Sequence, residues 1–349
     1  MSSRKILSLL LVLMLVGAMV TGCGGEEPAE APEEPAETEE TAEASEEPAE
    51  EPEEEIDIDI VVGFGAGGSN DLTARYMAEH MREFGINANV VNMPGGMSTE
   101  AAYYVSNQST DANMFFWGHT GPLLFEPAAG DRGYTIDDFE PIATLASPTF
   151  VIGNRQGAPW ETLDELIEYI QDNPNDVTFG GQGEGNVRHY IVEQILPPDE
   201  LDYVFVGLEG GADVALNLTG GHVDVGHLSL AAAVPLHQDG DMTVMVNTQP
   251  LTERDELMPE VPNVSEYGIE EGRERHPIAL WAVKGTDQEL KDRLSNAIRE
   301  IAEMPELQES FKDMGVVAHY LDADETWDFY MDVNDTMVPD YIEWVEQLD

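Results

Sequence analysis

Three observations predict an α/β fold for the body of this chain. Short apolar strands alternate with helices of 3.6-residue periodicity, and glycine-rich loops join the first two strands to the helices after them. The 294 residues from Ile56 to Asp349 suffice for one large or two medium domains, and no repeat of solenoid length runs through them.

In chain order, the first element is an export signal. Arg4 and Lys5 precede an apolar stretch from Ile6 to Val20, closed by the small residues Gly22 and Cys23. The stretch is shorter than the ~20 apolar residues a spanning helix needs, and no later segment approaches that length. Val20-Thr21-Gly22-Cys23 resembles a bacterial lipobox, which implies a signal peptide over 1–22 and lipidation of Cys23. The plainer alternative is a secretory signal with an incidental cysteine. Cys23 is the chain's one cysteine, so no internal disulfide can form. Residues 26–55 hold 16 glutamates with no lysine or arginine, a composition that cannot bury a core. Residues 23–55 therefore read as a lipidated cysteine on a disordered Glu/Pro-rich tether that lifts the body off a membrane.

The body carries 54 acidic and 13 basic side chains, a formal charge of −41. Nucleic acid and anionic lipid surfaces are poor partners for such a surface. Self-repulsion of this size is tolerated in high salt, so a halophilic source is expected.

The body opens with IDIDIVVGF, a buried strand from Ile56, and NDLTARYMAEHMREFG reads as the helix after it. Ala74, Met77, Met81 and Phe84 share one face of that helix, and Gly85 suits its C-terminal stop. Between them lies Gly63-Phe64-Gly65-Ala66-Gly67-Gly68-Ser69-Asn70-Asp71, whose spacing satisfies the G-x-G-x-x-G dinucleotide fingerprint. That fingerprint also wants an acidic residue after the second strand, where this chain has Asn92, and an exported protein has little access to NAD. Glycine amides at a helix N-terminus still offer an anion site without a cation, a tight βα turn being the alternative. Asn92-Met93-Pro94-Gly95-Gly96-Met97-Ser98 follows the second strand in the same way, with Ser98 as a predicted N-cap. Both loops would then face the ligand-binding edge of one parallel sheet.

These residues bring a family into view. Phe64-Gly65-Ala66-Gly67-Gly68-Ser69-Asn70-Asp71 resembles the F-A-A-G-G-x-x-D loop of tripartite tricarboxylate transporter receptors, the Bug family of extracytoplasmic solute-binding proteins. Asn92-Met93-Pro94-Gly95-Gly96 is similar to that family's E-N-R-P-G-A-G-G segment, with Val91 and Met93 replacing its charged residues. Farther on, Phe179-Gly180-Gly181-Gln182-Gly183-Glu184-Gly185-Asn186-Val187-Arg188-His189 resembles Y-G-S-x-G-x-G-S-x-x-H. Leu218-Thr219-Gly220-Gly221-His222-Val223-Asp224 resembles L-L-A-G-Q-V-D, Pro259 to Val264 resembles P-D-V-P-T-V, and Leu280 to Thr286 resembles F-G-L-F-A-P-A-G-T. Six segments in the same order over about 290 residues carry the likeness.

The resemblance implies a two-lobed periplasmic-binding-protein fold of type II. Each lobe would be a mainly parallel sheet flanked by helices, with the ligand cleft between lobes. Taking Pro141–Ile152 and His276–Val283 as crossovers, lobe 1 would comprise 56–153 plus 276–349 and lobe 2 residues 154–275. Within lobe 2, Thr162-Leu163-Asp164-Glu165 forms a capping box before a helix whose Leu163, Leu166, Ile167 and Ile170 share a face. Val177–Gly180, Tyr203–Val206, Val223–Val225 and Met242–Val246 read as its strands.

Matched residue by residue, the ligand-binding set in lobe 1 would be Phe64 to Asp71, Asn92 with Pro94, Gly95 and Gly96, and His119, Thr120 and Gly121. Lobe 2 would contribute Gly183, Asn186, His189, Leu228 and Ser229. Backbone amides of the first-lobe loops would take one carboxylate, partly through water, with Thr120, Asn186 and Ser229 on the rest of the ligand. His119 and His189 fit packing roles as well as ligand contact, and Arg155 and Arg188 could pair a distal carboxylate, although surface salt bridges are the favoured reading for both in so acidic a chain. Many receptors carry F-D-N-x-P-S where this chain has His227-Leu228-Ser229. The missing carboxylate at Leu228 turns the expectation from amino acids toward di- or tricarboxylates.

A last helix, roughly 324–347, is expected to pack Trp327, Tyr330, Met331, Tyr341, Trp344 and Val345 on the first lobe, a partner-binding face being the alternative. No cofactor or metal is expected, since the eight histidines lack H-E-x-x-H spacing and no Ser, His and Asp set has motif context. The family's partners would be one large and one small integral membrane permease subunit, with a monomeric receptor held to the membrane by its lipid anchor. A carboxylate sensor without transport and an exported hydrolase are the competing functions.

Overall fold

The computed structural model describes residues 55–249, 254–255, 257–269 and 276–348. The predicted signal, Cys23 and almost all of the acidic tether lie outside these. Among the described residues no helix is long and apolar enough to cross a membrane.

Strand β1 (Ile56–Val62) and helix α1 (Ser69–Met81) form as the apolar periodicity dictates: Ile58, Ile60 and Val62 are buried against Ala74, Met77 and Met81. Phe84 falls in a short tighter turn, and Gly85 ends it in the left-handed conformation at φ 67°. Then come β2 (Ile86–Asn92), α2 (Thr99–Ser106), β3 (Met114–Gly118), α3 (Glu126–Ala129) and β4 (Phe139–Pro148). The next run is β5 (Phe150–Arg155), α4 (Leu163–Asp172), β6 (Thr178–Gln182), α5 (Val187–Ile195), β7 (Val204–Leu208), α6 (Gly211–Thr219), β8 (Val225–Ser229), α7 (Leu230–Asp239) and β9 (Met242–Asn247). The chain closes with β10 (Ile278–Val283), α8 (Gln288–Ala302), α9 (Pro305–Asp313), β11 (Val316–Leu321), α10 (Ala323–Thr336) and α11 (Val338–Leu348). The predicted capping box is present at Thr162, and Leu163, Leu166 and Ile170 face inward as the moment of α4 requires.

The strands form two sheets, ordered β11-β4-β10-β3-β1-β2 and β7-β6-β8-β5-β9. Both are mixed rather than mainly parallel. The pairs β1–β2, β1–β3, β6–β7 and β6–β8 are parallel, while β10 and β11 in the first sheet and β5 in the second pair antiparallel. The reason is connectivity. β4 and β5 are successive stretches of one extended run, and β10 brings the chain back to the first sheet, so these strands need no helical crossover to set their direction.

The change of sheet falls at Thr149 rather than after residue 153, because every residue of β5 pairs within the second sheet. Thr149 is fully buried, and its carbonyl accepts from Leu230 N at 2.8 Å.

The single C-terminal helix expected from sequence is two helices. Pro339, the second residue of α11, lacks an N–H and crowds the preceding turn, so helical bonding cannot run on from α10. α10 packs on the first sheet: Thr326 Oγ1 accepts from Thr144 N at 3.1 Å, and the fully buried Tyr330 donates its hydroxyl to Pro277 O at 2.7 Å. α11 departs from the expectation by reaching the second sheet's α5. There Tyr341 donates to Gly185 O at 3.2 Å and the indole of Trp344 donates to Glu193.

Tyr330→Phe removes the donor that satisfies Pro277 O just before β10. A loss of about 1–2 kcal/mol in unfolding free energy is expected, read in guanidinium titration as a lower midpoint with an unchanged slope.

Candidate functional site

A cavity of about 800 Å³ opens where the C-terminal ends of β1, β6, β7 and β8 meet. Four helices begin at its wall. Gly67 to Asn70 start α1, Asn186 to Arg188 start α5, Gly210 to Ala212 start α6, and Ser229 with Ala231 and Ala232 start α7. Each N-terminus brings partial positive charge beside that space, although Arg188 N and His189 N of α5 are capped by Asn186 and Gly67 N by Asp71.

The first loop is held from behind by a buried carboxylate. Asp71, whose side chain is 3% exposed, accepts from Gly67 N at 2.8 Å, from Arg75 Nε at 3.1 Å and from Asn92 Nδ2 at 2.8 Å, and pairs with Arg75 Nη2 at 2.9 Å. Asn92 also donates to Phe64 O at 3.0 Å and accepts from Arg75 Nη2 at 2.9 Å. Burial disfavours the ionised form of Asp71, but the bonds from Arg75, Gly67 and Asn92 prevail and hold its carboxyl below the ordinary value of 3.8. Asp71 and Asn92 thus position the loop; neither faces the cavity.

The sequence-predicted residues divide accordingly. Phe64, Gly65, Ala66, Gly67, Gly68, Ser69, Asn70, His119, Gly121, Asn186 and Ser229 line the cavity. Asp71, Asn92, Pro94, Gly95, Gly96, Thr120, Gly183, His189 and Leu228 are not part of its wall. In the second loop it is Met97 that reaches the cavity, at φ 54°, followed by Ser98 at φ 77°. Ser98 sits at the N-cap position of α2 but its hydroxyl makes no capping bond, because this left-handed turn presses it against Gly63. Thr120 is fully buried with its hydroxyl 2.9 Å from His276 Nδ1, and Leu228 belongs to the second sheet's core.

The two histidines take different parts. His119 lines the cavity, stacked on Phe64 with ring centroids 5.6 Å apart, and its Nδ1 accepts from Gly121 N at 3.0 Å. A neutral ring in that position carries its proton on Nε2. His189, in α5, is not part of the cavity wall; its Nδ1 accepts from Gly185 N at 3.2 Å, Nε2 is 3.1 Å from Glu193 Oε1, and the ring stacks on Phe205. Burial raises the Glu193 carboxyl, but hydrogen bonds from His189 and Trp344 outweigh it and bring it below its ordinary value. Asn186 spends its amide on the fold, accepting from Arg188 N and His189 N and donating to Gln182 O at 2.6 Å.

The two arginines also differ. Arg155 makes the favoured salt bridge, 2.8 Å to Asp224 Oδ1. Arg188 is 6% exposed in the cavity wall, its guanidinium carbon 3.4 Å from the Phe150 ring centroid. Gly210 and Gly211 at the start of α6 were not anticipated as wall residues. Their signal was a third glycine pair between strand and helix, in Gly207-Leu208-Glu209-Gly210-Gly211.

Two sheets sharing a cavity walled by helix N-termini define a binding protein of the periplasmic solute-binding class. Solved structures of that class match the fold: periplasmic binding protein BugD, 24% identical, with a TM-score of 0.68 over 83% of this chain and 97% of that one. Rpa4515 of R. palustris with adipate matches at 0.73 and 20% identity over 82% of this chain and 97% of its own. MatC of Rhodopseudomonas palustris with bound malate matches at 0.69 and 22%, over 82% and 98%. The chain belongs to the tripartite tricarboxylate transporter receptor family, whose sequence model matches residues 73–338. Among its relatives are a UPF0065 protein of the gbd 5' region of Cupriavidus necator, 24% identical over 280 residues (77% of this chain, 81% of that protein), and protein BugT of Bordetella pertussis, 22% identical over 281 residues (79% and 85%).

Because the folded-state pKa of Asp71 is below its unfolded value, its stabilisation is present above that value and is lost as pH falls through the folded one. Asp71→Asn should lower stability near neutral pH by about 1–3 kcal/mol. The gap between wild type and variant should close as pH falls through and below the ordinary value of 3.8, as measured by denaturant titration over that range.

Proposed function

We propose that the chain is a lipid-anchored extracytoplasmic receptor that captures a small carboxylate and delivers it to a permease of one large and one small membrane subunit. The observation that carries this reading is the meeting of four helix N-termini at one cavity in a body of charge −41. The long-range field of such a body repels anions unless salt screens it. Capture therefore falls to dipoles within a few ångströms of the ligand, and the amides of Gly65, Ala66 and Gly68 to Asn70 at the start of α1, Gly67 N being committed to Asp71, are the proposed seat of one carboxylate, with His119 and Ser229 facing it from the walls.

Two lobes follow from the same reading. The first sheet with its helices would move against the second about Thr149 and the return segment before Ile278, closing over the solute. The tether from Cys23 to Glu55 would keep that motion close to the permease.

Gly65 makes a clean test, since a side chain there meets nothing within 4 Å and its φ is not left-handed, whereas Gly67 at φ 88° would also strain. In thermal-shift titrations of the full-length chain against a carboxylate panel at high and low salt, a hit raises the melting temperature with ligand concentration. Gly65→Val should melt like wild type and lose that shift. A variant that melts and shifts normally would reduce the loop to a turn.

A further inference from the structure

The cavity wall carries a buried carboxylate that an amide seat for an anion does not call for. β3 ends at Gly118, and the chain runs along the wall through His119 and Gly121 before Pro122 to Phe125, which are buried. Glu126, the first residue of α3, returns to the wall and is 8% exposed. Of the other carboxylates among the described wall residues, Asp213 is half-buried, and Glu209 and Asp313 are exposed. Water and salt screen those three, while the charge of Glu126 acts through protein.

Its surroundings neutralise that charge only in part. Arg132 donates from Nη2 to Glu126 Oε2 at 3.0 Å and from Nε to the Glu126 carbonyl at 3.3 Å, but the arginine side chain is 39% exposed. Burial prevails over this pairing and raises the Glu126 carboxyl above its ordinary value of 4.5. Tyr134 and Tyr341 of α11 also lie within reach of the charge. Burial first, and then Glu126, pushes both hydroxyls up, so both stay neutral where the carboxyl titrates. Elsewhere in the wall Arg188 stays charged, and His119 can take a proton of its own.

An anion entering this cavity adds a like charge and displaces screening water, and both changes favour the neutral form of Glu126. The effect is reciprocal: a proton on Glu126 tightens anion binding by the factor by which the anion tightens the proton. We propose that the receptor takes up a proton with its solute and that Glu126 is the group that receives it. Capture then adds a negative charge and a proton together, which spares a body of charge −41 one further unit of self-repulsion. Affinity is highest where free Glu126 is already protonated. It falls as pH rises from the carboxyl's value in the empty cavity to its higher value in the occupied one, and is level beyond. This inference rests on the carboxylate reading above and deepens it.

Isothermal titration of the full-length chain with succinate, malate and adipate tests it, run in buffers of different ionisation enthalpy from pH 4.5, the ordinary carboxyl value, to past neutrality. Wild type should take up more protons on binding than Glu126→Gln does, read as an apparent enthalpy that varies more with the buffer. The dissociation constant of wild type relative to Glu126→Gln should be near one at the acid end, where glutamine mimics the protonated carboxyl. At the alkaline end it should rise to about 10-fold, as for like charges roughly 10 Å apart at an effective dielectric constant of about 20. Protonation of the probe or of His119 is common to both proteins and cancels in that ratio. Equal proton uptake in the two proteins, or a ratio that does not change with pH, would overturn the inference while leaving a carboxylate receptor in place. Should Glu126→Gln fail to fold, Arg132→Gln decides: losing the cation should carry proton uptake to higher pH, and uptake left in place would assign the proton to another group. Binding of no probe at any pH would instead bring down the carboxylate reading and this inference with it.

Discussion

The cleft depends on one buried carboxylate that never meets the ligand space. Asp71 draws Gly67 N, Arg75 and Asn92 onto itself, and through Asn92 it also holds the carbonyl of Phe64. Both ends of the first loop are thereby tied to the first turn of α1. Gly65 to Asn70 line the cavity, with Gly67 N spent on Asp71 behind them and the polar groups of the loop's back satisfied. A negative side chain at a helix N-terminus would ordinarily compete with an anionic ligand for the same dipole. Here Arg75 neutralises it, and its place behind the loop keeps it from that competition.

A second set of contacts ties the C-terminal helices to both sheets. Tyr330 on α10 bonds the chain at Pro277, where it re-enters the first sheet, and Tyr341 on α11 bonds Gly185 in the loop before α5. The same glycine donates its N–H to His189, which faces Glu193, which accepts the Trp344 indole. The loop leading into α5 is thus gripped at its carbonyl by α11 and at its amide by α5, whose His189 is linked back to α11 through Glu193. Any relative movement of the two sheets has to bend or slide α11, since its contacts to α5 are specific hydrogen bonds as well as apolar packing. In the stripe of the last helices Tyr330 and Tyr341 are buried and Trp327, Met331, Trp344 and Val345 half-buried against the core, and its hydrogen bonds reach both sheets.

What was legible in the sequence is what is local. The β1–loop–α1 unit, the glycine stop at Gly85 and the capping box at Thr162 all rest on residues a few positions apart, and each formed where its pattern placed it. Pro339 marked the break between α10 and α11 just as locally, although the apolar stripe running through it suggested one helix. The cavity wall was legible at the glycine loop after β1, whereas Gly95, Gly96 and Gly183 follow strands without reaching it. What stayed hidden depends on distant pairing: the guanidinium of Arg188 over Phe150, the bond from Asn92 to Asp71 21 positions earlier, and the antiparallel strands that carry the chain between sheets. Periodicity cannot encode strand direction, because a strand reads alike both ways.

Asn92 explains why the glycine fingerprint of a nucleotide fold serves another purpose here. An acidic residue after the second strand would point at a ribose hydroxyl. With an amide in its place, the side chain can both donate and accept, and it turns back to bond Asp71, Phe64 O and Arg75. A carboxylate there has no N–H to give and would stand beside the buried Asp71 as a second like charge. The spacing G-x-G-x-x-G therefore sets only the backbone freedom of the loop. Whether that freedom holds a pyrophosphate or a carboxylate is decided by the residue at the end of the next strand, and in this chain that residue is committed to the loop itself.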